Sequence, residues 1–213
     1  MSFAFGGRLP LRDPDRRRRI LTVVGVLVVV DLIIGALALV VIGFVGGDDP
    51  PKKDRAVLPA FVEPEKHYLA PAFERSARDN DLPLALLQAL AWRESRWRAE
   101  ALNPESGAVG IGQLLPATTA FVAGELLGDP MLDPADPQDN IKMTARYLRA
   151  QIESFGGDTR FALAAYSQGS TSVRNDGVSE STAGYLADIA EIRARFAAAA
   201  RGDPGSALDP LSD

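Results

Sequence analysis

The chain has 213 residues, no cysteine, one histidine, and 23 Lys and Arg against 28 Asp and Glu, a net charge of −5. Without cysteine there are no disulfides and no cysteine-linked lipid anchor, and with His67 alone no protein metal site or other cofactor is expected. From residue 64 onward, 14 Lys and Arg face 21 Asp and Glu, a net of −7, which argues against nucleic acid as a partner.

Residues 1–19 carry six Arg against two Asp. They precede Ile20 to Val45, a 26-residue apolar run broken only by Thr22, Asp31 and glycines. As a helix the run would span about 39 Å, enough to cross a ~30 Å hydrocarbon core with tilt. The basic flank predicts a single-pass transmembrane helix over 20–45, with the N-terminus cytoplasmic and the rest on the outer side of the membrane. The rival is a cleaved signal peptide, with Ala36-Leu37-Ala38 as its small-x-small site, but the run is longer than a usual signal core. Asp31 would cost roughly 2.5–3.5 kcal/mol if ionised near the centre of the span, so it marks a possible contact with a partner membrane helix. Residues 46–63, with Gly46-Gly47, Pro50-Pro51 and Pro59, read as a linker, and 202–213 as a disordered tail.

Residues 64–201 have the size of one domain. No strand run is evident, so a mostly α fold is expected. Pro83 to about Glu94 reads as a helix, with Leu86, Leu87, Leu90 and Ala91 on one face and Glu94 extending that stripe. A carboxylate so placed is partly desolvated, which raises its pKa and suits a general acid. An ordinary helix-end residue paired with Arg93 or Arg98 is the bland alternative. A loop punctuated by Gly107, Gly110 and Gly112 follows, where glycine permits tight turns and close backbone approach, and it carries Ser106 and Gln113. Asp136 with Pro137 signals a helix start, and Ile141, Ala145, Leu148, Ile152 and Phe155 mark its buried face up to Gly156-Gly157. Thr159 to Tyr166 and about Thr182 to Ala200 give two more helices. His67 reads as a surface residue at a helix start, and Tyr147 and Phe161 as core.

Three motifs stand in order. Glu94-Ser95 is followed by Asn103-Pro104-Glu105-Ser106-Gly107-Ala108-Val109-Gly110-Ile111-Gly112-Gln113 and Pro116-Ala117-Thr118. Asp136-Pro137-Gln138-Asp139-Asn140-Ile141 comes next, with Tyr147-Leu148. Ala162-Leu163-Ala164-Ala165-Tyr166-Ser167-Gln168-Gly169 is third, with Val173. Together they resemble the catalytic region of the lytic transglycosylase (SLT-type) domain of the lysozyme-like superfamily, near goose-type lysozyme, over roughly residues 65–196.

The resemblance implies a goose-type lysozyme-like helical fold with Glu94 as the only catalytic acid/base. It places Ser106, Gln113 and Tyr166 at the sugar subsites and makes Ser95 a structural neighbour of the acid. The family's late Glu-Thr-x-x-Tyr stands here as Ser181-Thr182-Ala183-Gly184-Tyr185, so Tyr185 is a substrate-binding candidate and Glu180, one place early, a weaker one. Ser167 replaces the family's Asn, Thr144 its usual Gly, and Gly112 a larger residue, often Met. The last change suggests a more open subsite wall.

The chemistry so implied is cleavage of the MurNAc–GlcNAc β-1,4 bond of peptidoglycan, with formation of 1,6-anhydroMurNAc ends. Ordinary glycosidases use two carboxylates; Glu100 and Glu105 near Glu94 read as solvated loop charges. A membrane-anchored lytic transglycosylase is therefore expected. Two readings compete with it: a muramidase using water, and a non-catalytic peptidoglycan-binding module of an envelope machine.

Overall fold

The structure is a computed structural model that describes residues 57–203 and residue 211. The basic N-terminus, the expected span over 20–45 with Asp31, most of the linker, and all of the tail past 203 except Leu211 lie outside the described residues. Among the described residues, no helix is long and apolar enough to cross a membrane.

The described residues are helical, with two isolated bridges, Leu102 to Val109 and Val109 to Leu114, in place of any strand. A 3-10 turn over Pro64–Leu69 leads into α1, Ala70–Asp79. Then come α2, Leu84–Ser95; α3, Pro116–Phe121; a π turn over Val122–Leu126; α4, Pro137–Ser154; α5, Thr159–Gln168; α6, Ser170–Asp176; and α7, Glu180–Ala200.

Helix α2 is the centre of the domain. Every residue from Leu86 to Trp92 is buried, Gln88 included, so the helix is enclosed on all sides rather than along one stripe. An aromatic cluster closes around it. Trp97 stacks on Phe196 with ring centroids 5.3 Å apart, and Trp92 meets Phe61 edge-on at 5.0 Å. The indole N–H of Trp97 donates to the Gln88 carbonyl at 3.1 Å, so a large ring is buried without stranding its polar atom.

Two boundaries differ from the expectation. Phe61 and Val62 belong to the core, so the linker ends before residue 63. Three apolar residues in a row between Pro59 and Pro64, Ala60, Phe61 and Val62, are too few to show a period. Leu211, from the tail read as disordered, packs against the core, and its carbonyl accepts from Arg96 at 2.7 Å. Phe161 is also not core: its ring is exposed and stacks on Phe155 at 6.2 Å. Tyr147 is partly buried against Tyr166, at 5.2 Å.

The start of α4 follows the sequence signal. The Asp136 side chain accepts from the backbone N–H groups of Gln138 and Asp139 at 2.9 and 3.0 Å, which satisfies two of the helix's unpaired donors. Gly156 and Gly157 end it with φ of +64° and +91°. His67 is exposed in the 3-10 turn, with Nε2 3.1 Å from the Val62 carbonyl.

Candidate active site

Helix α2 stops abruptly because Arg96 and Trp97 both adopt left-handed backbone, with φ of +52° and +58°. The stop leaves Glu94 in the last turn, facing α7. There the Tyr185 hydroxyl donates to Glu94 Oε1. Burial pushes the Glu94 carboxyl up from 4.5 to about 7, while the Tyr185 hydrogen bond and the Arg93 charge pull it down. Burial is the larger effect because a single hydroxyl and one partly exposed guanidinium replace only part of the lost hydration. Near neutral pH, Glu94 is thus close to half protonated, which suits a group that must both give and take a proton.

Ser95 faces the other way. Its hydroxyl donates to the Ile111 carbonyl at 2.8 Å and accepts from the Arg98 N–H at 3.1 Å. It ties the end of α2 to the glycine loop. That loop, residues 101–115, folds on its own backbone. Gly110 N–H donates to the Ala101 carbonyl at 2.7 Å, and Gly107 N–H to the Asn103 carbonyl at 2.8 Å. The Asn103 side chain accepts from the N–H groups of Glu105 and Ser106, and Ser106 Oγ accepts from the Ala108 N–H at 3.3 Å. Ser106 is therefore an exposed turn residue whose hydroxyl also serves the loop.

Asn140 on α4 anchors the loop, a role the sequence reading did not assign. Its Nδ2 donates to the carbonyls of Val109 and Pro134 at 3.1 and 2.9 Å, and its Oδ1 accepts from the Gly112 N–H at 2.8 Å. It is fully buried with every one of these bonds made. The signal was present, since Asn140 sits inside the second motif, but one sequence does not tell a motif residue that holds a loop from one that lines a cleft.

Gly112 is gripped from three directions. Asn140 takes its N–H, the Tyr166 hydroxyl donates to its carbonyl at 2.7 Å, and Thr144 covers its α-carbon. A Cβ at Gly112 would stand 1.9 Å from Thr144 Oγ1. The more open wall expected from Gly112 is thus absent on this side: the space is filled by Thr144, itself the replacement for the family's usual glycine. The two departures compensate each other across one contact.

The remaining candidates fall as follows. Tyr166 lies across the loop and spends its hydroxyl on Gly112. Burial first, and the nearby Glu94 charge second, push its phenol well above the usual range, so it stays protonated. Tyr185 behaves likewise, raised by burial and then by Glu94. Gln113, at φ +49°, donates from Nε2 to the carbonyls of Gly110 and Ala101 at 2.9 and 3.2 Å, and its Oε1 accepts no hydrogen bond among the described residues. Glu180 is exposed at the first residue of α7, more than one turn before Tyr185. No group of three or more His, Cys, Asp or Glu suited to a metal occurs among the described residues.

The model of the Transglycosylase SLT domain family matches residues 71–188, a stretch that holds the acid, the glycine loop, Asn140, Tyr166 and Tyr185. The chain belongs to this family. The soluble lytic murein transglycosylase of Escherichia coli K12 is 30% identical over 105 residues, which are 48% of this chain and 16% of the relative. The membrane-bound lytic murein transglycosylase F of Pasteurella multocida is 34% identical over 119 residues, 53% of this chain and 20% of the relative. The chain thus spans a fifth or less of the length of these relatives. Among solved structures, an inactive glutamate-to-glutamine mutant of the lytic transglycosylase Slt from Pseudomonas aeruginosa superposes with a TM-score of 0.58 at 22% identity, covering 68% of this chain and 26% of that one. The SLT-type domain has the mostly helical, lysozyme-like fold expected from the sequence.

Proposed function

We propose that this SLT-domain protein is a peptidoglycan lytic transglycosylase with Glu94 as its single acid and base, held at the cell-wall face of the cytoplasmic membrane by residues 20–45. The observation that carries the reading is the state of Glu94: a lone desolvated carboxyl near 7, oriented by Tyr185 and set beside the loop of Gln113. The names of the similar proteins support the reaction class, and the Pasteurella relative's name supports an anchored form.

In this reading, protonated Glu94 donates to the glycosidic oxygen between MurNAc and GlcNAc. The MurNAc 2-acetamido oxygen bonds to C1 as the leaving sugar departs, which forms an oxazolinium. Ionised Glu94 then takes the proton of the C6 hydroxyl, whose oxygen displaces the acetamido oxygen at C1. The product is a 1,6-anhydro ring, and Glu94 ends protonated as it began. Gln113 Oε1 is the acceptor available to sugar N–H and O–H groups.

Digestion of purified peptidoglycan by the full chain, beside Glu94→Gln, followed by mass spectrometry tests the proposal. Anhydro-muropeptides from wild type alone are expected. Reducing-end MurNAc would move the assignment to a muramidase. Glycan binding without products would leave a binding module.

A further inference from the structure

Arg93, next to the acid on α2, reaches α7. Its Nε donates to Asp188 Oδ2 at 2.8 Å. The same guanidinium lies over the Tyr185 ring, 5.1 Å from its centroid. Tyr185 and Asp188 are three residues apart on α7, so both present to one face. The Tyr185 hydroxyl, at the far end of that ring, holds Glu94. The four groups close a circuit: Glu94 and Arg93 are neighbours on α2, Tyr185 and Asp188 neighbours on α7, and each helix touches the other at both points.

We infer that the Arg93–Asp188 pair is a positioning device for the proposed reaction, a clamp that fixes the Tyr185 ring so that its hydroxyl meets the Glu94 carboxyl. The inference rests on the transglycosylase reading and adds two positioning residues to it. As a stabilising contact the pair has little to offer. Both side chains are about one third exposed, at 34% and 39%, and ion pairs so solvated contribute weakly. Its geometry has a different consequence. Tyr185 is buried and its hydroxyl has no second hydrogen-bond partner among the described residues, so whether that one bond is made depends on where the ring places the oxygen. Arg93 lies over that ring, and Asp188 holds Arg93 there.

The groups facing Glu94 bear on its titration. They are Arg93 from its own helix, Tyr185 with Asp188 behind it from α7, and Tyr166 from α5. Both tyrosines stay neutral across the working range. Among the described residues Arg93 is thus the one permanent charge that acts on the carboxyl directly, and Asp188 acts on Glu94 through Arg93 and Tyr185.

The test is a double-mutant cycle on the full chain, with kcat and KM for glycan cleavage measured for wild type, Asp188→Asn, Tyr185→Phe and the double variant. The expected result is a fall in kcat of about tenfold for Asp188→Asn with KM unchanged, and no further fall when Tyr185 is already Phe. Asp188→Glu, which can still hold Arg93, restores most of the rate. Equal losses from Asp188→Asn in both backgrounds, or a lowered Tm with kcat unchanged, would overturn the inference. Glu94 is also titrated by NMR of carboxyl-labelled glutamate in wild type and Asp188→Asn, which keeps the Arg93 cation and removes only its anchor. Loss of the acidic partner alone would move the midpoint down, whereas a released Tyr185 hydroxyl should move it upward from about 7, and a midpoint that is unmoved or lower counts against the clamp. This readout needs no cleavage, so a clamp that fails is distinguishable from a domain that is not an enzyme.

Discussion

The groove between α1 and α4 and the end of α2 are both rich in ionisable side chains, but they handle charge in opposite ways. The groove is a cavity of about 620 Å³ whose lining includes Asp81, Asp139, Glu153, Lys142, Arg146 and Arg149, and Glu94 is not part of it. Arg149 bridges Glu153 at 2.9 Å and Asp81 at 3.6 Å, and Arg146 reaches Glu153 at 3.8 Å. The Glu153 and Asp81 side chains are 52% and 81% exposed, so water solvates these charges whether or not they pair. Glu94 is one carboxyl with one hydroxyl and one flanking cation, taken largely out of water. The comparison teaches that the number of acids and the size of a cavity do not locate the chemistry. Loss of hydration without full replacement is what singles out Glu94 as the candidate.

The largest effect should come from the acid itself. Glu94→Gln keeps the shape and a partner for Tyr185 but cannot move a proton, so its rate of glycan cleavage should fall by roughly 10²–10⁴-fold, measured as anhydro-product formed per minute. The fold should persist by circular dichroism.

Gly112→Ala should be the most damaging change that leaves every ionisable group in place. Its Cβ meets Thr144 Oγ1 at 1.9 Å, and forced overpacking of this kind costs about 1–3 kcal/mol. Adding Thr144→Gly should recover part of the loss, less the roughly 1 kcal/mol that glycine costs inside a helix. Denaturant unfolding of both variants reads this. If the double variant is less stable than the sum of the two single losses, the compensation is refuted.

Burial of Glu94 also has a sign in stability. Unfolded, it titrates near 4.5; folded, near 7. Between these values the folded state keeps a proton that the unfolded state has lost. The contribution is therefore full below pH 4.5 and is lost as pH rises through 7. Glu94→Gln removes this slope, so at pH 8 the variant should be more stable than wild type by roughly 3 kcal/mol, and at pH 4 about equal to it. Urea midpoints at the two pH values check it.

The smallest effect belongs to the groove. Arg149→Ala breaks two bridges there, yet its stability change should stay under about 1 kcal/mol and shrink further in high salt. A loss several times larger would erase the contrast between the two regions.

Much of this was legible in the sequence. The acid at the end of an apolar helix, the cap at Asp136, the glycine stop after α4 and the mostly α character all follow from local rules that one sequence displays. The short elements did not show: α3 and α6 span only six and seven residues, too short for a period, and the π turn over Val122–Leu126 has no residue signature. Partners far apart in sequence were equally hidden. Nothing local says that Asn140 holds the Gly112 N–H, that Thr144 fills the space over Gly112, or that Arg93 turns to Asp188 on α7 rather than to Glu94 alone. Gly112 and Thr144 were each visible as departures from the family pattern. Only their contact turns two oddities into one exchange.

The central claim is that burial raises the Glu94 carboxyl until it holds a proton about half the time near neutrality. Direct titration of its carboxyl in the full chain, by carbon NMR with Glu94→Gln to assign the resonance, tests this most simply. The account predicts a midpoint near 7. A midpoint near 4.5 would mean that Glu94 is an ordinary hydrated carboxylate, and the reading of this site as a single-acid centre would fall with it.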